Sequence, residues 1–98
     1  MIMKKLILAA LFLPTLAIAE DTDFEICQSY SIYAETIMDG RQNGTDMAVL
    51  YELVKDDKVM STIVMSAYDT SRFTTQDYKT KAISDFKNKW FLACIQSK

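Results

Sequence analysis

The arrangement of apolar and polar positions along the chain predicts four amphipathic helices behind an apolar leader. The longest pattern extends from Thr74 to Ile95, and its large apolar side chains recur at steps of three and four residues, the period of one helix face. This stripe consists of Ile83, Phe86, Trp90 and Cys94. Because an amphipathic helix buries its apolar face in a globular domain, we expect the other helices to pack against this one.

The first helix of the domain is predicted to begin near Asp23. Thr22 and Glu25 have the spacing of a capping box, and Asp23 and Glu25 place negative charge in the first turn, where the helix dipole favours it. Gly40 and Gly44 are both candidate ends, and Gly44 is favoured because the residues between them are acceptable in a helix. The apolar face of this helix runs through Ile26 or Cys27, Tyr30, Ala34, Ile37 and Met38.

Two shorter helices are predicted between the first and the last. The candidate caps are Thr45 or Asp46 for the second helix, Asp56 or Asp57 for the third, and Thr74 or Thr75 for the fourth. The third segment, from Lys58 to about Asp69, is rich in β-branched residues, so a strand is the alternative, but its apolar period fits a helix. The two stripes are Met47, Leu50, Tyr51 and Val54, then Val59, Met60, Ile63, Val64, Ala67 and Tyr68.

Residues 1–19 have the features of a cleaved secretory signal peptide. Two lysines begin the segment, an apolar run follows to Leu13, and Ala17-Ile18-Ala19 has the small-x-small form that signal peptidase recognises. The apolar run is shorter than the roughly 20 residues that a membrane-spanning helix needs. We therefore expect cleavage after Ala19, and residues 20–98 as a single domain in the periplasm or secreted, with no stable membrane span.

Export changes the interpretation of the cysteines, because disulfides form in oxidising compartments. Cys27 and Cys94 are the only two, so they allow a single intramolecular pair. We predict that this disulfide joins the first helix of the domain to the last, and two separately buried thiols are the alternative. Closing so long a loop stabilises a chain by about 4 kcal/mol. The predicted fold is a small, single-domain, all-α bundle of about four helices that is held by the Cys27–Cys94 disulfide.

Charge is distributed unevenly along the domain. Residues 20–57 contain ten acidic and two basic side chains, whereas residues 58–98 contain seven basic and three acidic ones. This distribution argues against a nucleic-acid-binding protein, which needs a concentrated basic surface. The favoured interpretation is internal, with the acidic half packed beside the basic half, and the alternative is an electrostatic field that attracts a partner.

The sequence argues against an enzyme. It has no histidine, which excludes Ser-His-Asp and Cys-His catalytic arrangements and removes the commonest metal ligand. If both cysteines are bonded, thiol catalysis and cysteine-ligated zinc are excluded as well. Carboxylates remain, but they fall at helix caps and on polar faces, so a carboxylate-dependent cell-wall hydrolase is the least favoured alternative. We expect no catalytic residue, no metal and no cofactor.

Four polar and aromatic residues are candidates for partner binding. Arg41 and Gln42 lie at the end of the first helix, and Arg72 and Phe73 lie in the connection before the fourth. Arginine beside an aromatic residue is typical of binding hot spots. The structural alternative is favoured at this stage, because arginine near a helix C-terminus complements the helix dipole and Phe73 fits a hydrophobic staple.

Several short motifs occur together in the domain. They are Ile37-Met38-x-x-Arg41-Gln42-x-Gly44 followed by Met47, Ala67-Tyr68 with Arg72-Phe73, and Ala82-Ile83-x-Asp85-Phe86 with Trp90 and Cys94. In these motifs the chain resembles a set of small secreted (periplasmic) proteins that are encoded in prophages and phages of Gram-negative bacteria and have no assigned activity. The resemblance covers nearly the whole domain. It implies a periplasmic location and a phage-linked origin, and it implies no catalytic residue.

The sequence favours one function and leaves others open. The favoured hypothesis is a non-enzymatic periplasmic interaction protein, of phage origin, that acts on a protein of the host envelope or periplasm. The alternative is a small periplasmic chaperone of the acid-stress type, to which the chain is similar in size, export, helical class and single disulfide. A homodimer is also left open, because apolar stripes alone do not separate a core from an interface.

Overall fold

The computed structural model contains four α-helices: α1 (Ile2–Gln42), α2 (Met47–Val54), α3 (Lys58–Tyr68) and α4 (Gln76–Gln96). The structure describes the backbone from Ile2 and the side chains from Thr22 to Lys98, and this part of the chain holds no strand. The predicted all-α fold with four helices is therefore confirmed. The predicted signal peptide, residues 1–19, lies outside the residues whose side chains are described.

In the full chain, α1 begins at Ile2 and passes through Asp23 without interruption. The helix start near Asp23 was predicted for the chain cleaved after Ala19, and it stays a prediction. The capping-box spacing of Thr22 and Glu25 is a local signal, and a helix that already runs through this point needs no N-cap there.

The end of α1 agrees with the prediction. The helix continues through Gly40, ends at Gln42, and is followed by Gly44 with a φ of 88°. The Gly44 N–H donates to the Arg41 carbonyl at 3.3 Å, and the Thr45 N–H donates to the Gly40 carbonyl at 2.9 Å. These two bonds form a Schellman motif, which satisfies carbonyls at the helix end and needs a residue that tolerates positive φ.

The other helices begin where the sequence places them. The Asp57 carboxylate accepts a hydrogen bond from the Met60 N–H at 3.0 Å and so caps α3. Asp46 precedes α2 and Thr75 precedes α4, although neither side chain makes a capping hydrogen bond. The segment Lys58–Tyr68 is a helix and not a strand, as its apolar period predicted.

The core lies where α1 packs against α3 and α4. Its buried apolar side chains are Ala34, Ile37 and Met38 from α1, Ile63, Val64 and Ala67 from α3, and Phe86 from α4. Half-buried side chains surround them: Tyr30, Tyr33, Leu50, Val54, Tyr68, Ile83 and Trp90. Only Leu50 and Val54 of α2 reach this cluster, and no residue of α2 is itself buried.

The predicted disulfide is present. The Cys27 and Cys94 sulfurs are bonded, and the Cα atoms of the two residues are 5.4 Å apart. This bond joins α1 to the last turns of α4, while the first turn of α4 contacts the end of α1 through Lys79 and Gln42. α1 and α4 are therefore antiparallel neighbours. The prediction placed both cysteines at one end of such a pair.

Ion pairs make a minor contribution to this packing. Between Thr22 and Lys98 the structure contains three: Glu52 with Lys55, Lys81 with Asp85, and Glu35 with Lys87. Only the last, at 3.5 Å, joins the acidic first half to the basic second half. Exposed pairs of this kind contribute at most about 1 kcal/mol each. The packing of α1 on α3 and α4 therefore depends on the apolar core and the disulfide.

Candidate functional site

Gln42 is the centre of a hydrogen-bonded cluster at one end of the bundle. It is the last residue of α1 and is fully buried. Its amide nitrogen Nε2 donates to the Ser71 carbonyl at 2.9 Å, and its Oε1 accepts from the Phe73 N–H at 2.8 Å. One side chain thus satisfies a backbone acceptor and a backbone donor of the connection between α3 and α4, which fixes that connection on the end of α1.

Two cations converge on the backbone of the same residue. Arg72 Nε donates to the Gln42 carbonyl at 3.1 Å, and Lys79 Nζ donates to the same oxygen. Positive charge beside the last carbonyls of a helix is stabilising, because these carbonyls carry the negative end of the helix dipole. Gly44 makes room for this arrangement, since a Cβ atom there would lie 2.9 Å from Arg72 Nη2.

Arg41 anchors the beginning of the same connection. Its Nε donates to the Thr70 carbonyl at 3.0 Å, and its Cζ lies 5.2 Å from the centre of the Tyr68 ring. The Tyr68 hydroxyl in turn donates to the Thr45 carbonyl, which links α3 to the turn before α2. Burial raises the pKa of Tyr68, Arg41 partly opposes this shift, and Asp46 adds to it.

The structure thus brings together all four residues that the sequence singled out for partner binding: Arg41, Gln42, Arg72 and Phe73. We call them the anchoring cluster. Their polar contacts satisfy the chain's own backbone, and the Phe73 ring packs 5.9 Å from that of Tyr78. These contacts give the residues a structural role, although the Arg41 bond goes to Thr70 and not to the end of its own helix. A role in partner binding stays a prediction; Arg72 is exposed, as is the neighbouring Tyr78.

A shallow cavity of about 320 Å³ lies at the opposite end of the bundle, beside the disulfide. It is lined by Tyr30, Val59, Trp90, Ala93, Cys94, Ser97 and Lys98. The cavity forms because α3 begins only at Lys58 and does not extend as far along α1 as α4 does. Its lining is largely apolar, with polar groups from Tyr30, Ser97 and Lys98.

The outer face of α2 is the third candidate site, and sequence reasoning missed it. Val49 is 56% exposed and Leu53 is 76% exposed, which makes Leu53 the most exposed of the large apolar side chains between Thr22 and Lys98. The two residues are one helical turn apart and share a face. Glu52 is the only charged residue in α2. A helix with so few polar positions has apolar side chains on its outer face as well, and this pattern was the sequence signal for the site. A helix so apolar was expected to bury its stripe.

Three exposed carboxylates flank this face. Asp46 lies immediately before α2, Glu52 lies on its surface, and Asp56 follows its last turn. Lys55 contacts Glu52 at 2.9 Å. We define the α2 face as Asp46, Val49, Glu52, Leu53 and Asp56, an exposed apolar pair with acidic side chains around it.

From Thr22 to Lys98, no group of three or more acidic or cysteine side chains is arranged to hold a metal ion. No helix in the part of the chain that was searched combines the length and the apolar character that crossing a membrane requires. Comparison of the chain with protein-family models, with curated proteins and with solved structures finds no match. The functional argument therefore depends on the chain's own surfaces.

Proposed function

We propose that the exported chain is a non-enzymatic interaction protein that binds a partner protein through the α2 face. The observation that carries the proposal is the exposure of Val49 and Leu53 on a helix that is apolar around most of its circumference. Soluble domains seldom leave such a helix uncovered, and contiguous exposed apolar side chains are typical of protein interfaces.

The fold itself does not account for these side chains. α2 packs inward through Leu50 and Val54, so a polar residue at position 49 or 53 would leave that packing intact. Fully burying a valine or leucine side chain contributes about 1.5–3 kcal/mol, and this free energy is available only when a partner covers the face. Val49 and Leu53 are therefore better suited to binding than to folding.

The proposed setting is the periplasm of a Gram-negative cell, as the predicted signal peptide and the disulfide favour. The corresponding check is the mass of the chain recovered from the periplasm after expression of residues 1–98. A mature chain that begins at Glu20 supports the setting. An uncleaved chain in the cytoplasmic fraction contradicts it. The phage origin that the resemblance implies is a separate proposal, which binding experiments do not address.

Site-specific photocrosslinking in the producing cell tests the interface. A photoreactive side chain at position 53 should form one discrete adduct with another protein, and the same group at Asn88, an exposed position on α4, should not. The second substitution Val49→Asp should abolish the adduct from position 53, because it places charge in the interface without touching the label. Absence of an adduct from position 53, or equal labelling from position 88, would refute the proposal.

Unfolding measurements provide the matched control. Val49→Asp changes an exposed residue, so the free energy of unfolding should stay within about 0.5 kcal/mol of the unmodified chain. A loss of adduct in a variant that is fully folded then reports on binding alone.

A further inference from the structure

We infer that the partner presents a basic amphipathic segment to the α2 face, in which apolar side chains are flanked by lysine or arginine. This inference rests on the proposed function and adds the chemistry of the partner. It follows from the arrangement of charge around the exposed apolar pair.

The carboxylates of this face are spaced along the helix. Asp46 precedes Val49 by three residues, and Asp56 follows Leu53 by three, so a carboxylate lies beyond each end of the apolar pair. Glu52 lies between them. An apolar segment of a partner that covers Val49 and Leu53 must bring its own flanking positions close to these carboxylates.

The available cations of the chain do not neutralise this face. Lys55 is the only base from residue 46 to residue 57, and its pair with Glu52 is exposed and so contributes little. Asp57 is occupied as the cap of α3 through the Met60 N–H. Asp46 and Asp56 therefore keep their charge available for a partner.

Charge complementarity then selects the partner. A partner with acidic residues around its apolar positions would place like charges together at both ends of the contact, which disfavours binding. A partner with arginine or lysine at those positions gains charge-assisted hydrogen bonds and covers the apolar pair in the same contact.

Two synthetic peptides test this chemistry against the ¹⁵N-labelled exported chain. Both are amphipathic helices with leucine at i and i+4, and they differ only in whether the flanking positions are lysine or glutamate. The lysine peptide should shift the amide resonances of residues 46–56 and bind at least tenfold more tightly than the glutamate peptide. Raising the salt concentration should weaken this binding.

Variants of the chain separate charge from apolar contact. Each exposed charge pair accounts for a factor of roughly 1.5 to 5 in affinity, so neutralising the three carboxylates should weaken the lysine peptide about tenfold. That variant is Asp46→Asn, Glu52→Gln, Asp56→Asn. The control removes the same net charge elsewhere and should bind as the unmodified chain does: Asp23→Asn, Glu25→Gln, Asp69→Asn. The substitutions Val49→Ser and Leu53→Ser together should abolish binding although the charge is unchanged.

The possible results distinguish this inference from the proposed function. Equal binding of both peptides, or a neutralised variant that binds as tightly as the control, overturns the basic partner but leaves an apolar interface at α2. Absence of shifts with either peptide also overturns the inference, and the crosslink from position 53 then decides the proposed function by itself. Self-association of the chain that is lost in Leu53→Ser would assign the face to a second copy and overturn the inference.

Discussion

Replacing Gln42 by alanine should destabilise the fold more than any change at an exposed glutamine, because one buried side chain holds two backbone groups. Its amide pairs with the Ser71 carbonyl at 2.9 Å and with the Phe73 N–H at 2.8 Å. The substitution Gln42→Ala leaves both groups without their partner at a site where the original side chain is fully buried. It also removes the contact of Nε2 with the Met38 sulfur at 3.4 Å.

The magnitude follows from the two lost hydrogen bonds. An unpaired buried polar group costs about 1–3 kcal/mol, and the lower half of that range applies here because Ser71 is exposed and Phe73 only half-buried. The two groups together then cost roughly 2–4 kcal/mol. For a domain of this size, a loss of that magnitude lowers the Tm by roughly 10–30 °C.

Thermal and urea unfolding of the exported chain, followed by circular dichroism, would measure the loss. Gln96→Ala is the matched control, since Gln96 is the exposed last residue of α4, and its Tm should change by only a few degrees. Amide hydrogen exchange adds a local measurement, because the Phe73 N–H should lose its protection in Gln42→Ala while the core of α1 keeps its own. Equal stabilities of the two variants, with Phe73 still protected, would refute the proposed role of Gln42.

Three further predictions concern the turn, the disulfide and a buried tyrosine. Gly44→Ala should lower the free energy of unfolding by about 1–2 kcal/mol because the φ of Gly44 is 88°. Gly44→Asn should lower it less, since asparagine tolerates positive φ better than alanine. Urea unfolding of the two variants measures the difference, and equal losses would contradict the argument from φ. Reducing the Cys27–Cys94 bond should lower the free energy of unfolding by about 4 kcal/mol. Urea unfolding of the oxidised and the reduced chain measures this loss, and a loss below about 1 kcal/mol would contradict the prediction. Burial, with a smaller effect of Asp57, raises the pKa of Tyr33 in the folded chain above 10.0. The contribution of Tyr33 to the free energy of unfolding is therefore complete below pH 10 and declines as the pH rises further. Tyr33→Phe should make the free energy of unfolding fall less steeply with pH in the alkaline range. The same steepness in both chains would exclude Tyr33 as the cause.

The helical framework was predictable because its signals are local. The period of Ile63, Val64 and Ala67 identified α3 as a helix, and all three are buried. Gly44 marked the end of α1 through the one backbone conformation that favours glycine. The disulfide was predictable because Cys27 and Cys94 are the only two cysteines, so export to an oxidising compartment allows a single intramolecular pair.

The anchoring cluster was only partly predictable, because its contacts join residues about thirty positions apart. The sequence placed Arg41 and Gln42 near a helix end and Arg72 and Phe73 in a connection, and these positions were correct. The Gln42 amide bonds to Ser71 and Phe73 depend on how the α3–α4 connection crosses the end of α1. No periodicity encodes that crossing.

The polar residues that the sequence singled out and the exposed apolar pair of α2 lie on different surfaces. Arg41 and Gln42 satisfy carbonyls of their own chain, whereas Val49 and Leu53 are exposed on α2. The size of the domain explains this exposure. α2 has two turns and reaches the core only through its inner residues, with Leu50 close enough to Gly40 that a Cβ there would lie 3.2 Å from its Cδ1. A helix held on one side by so small a core must expose its outer side, and a polar residue at position 53 would cost the fold little. Leu53 therefore contributes little to the packing of the chain, and under the proposed function a partner that covers the α2 face would bury it.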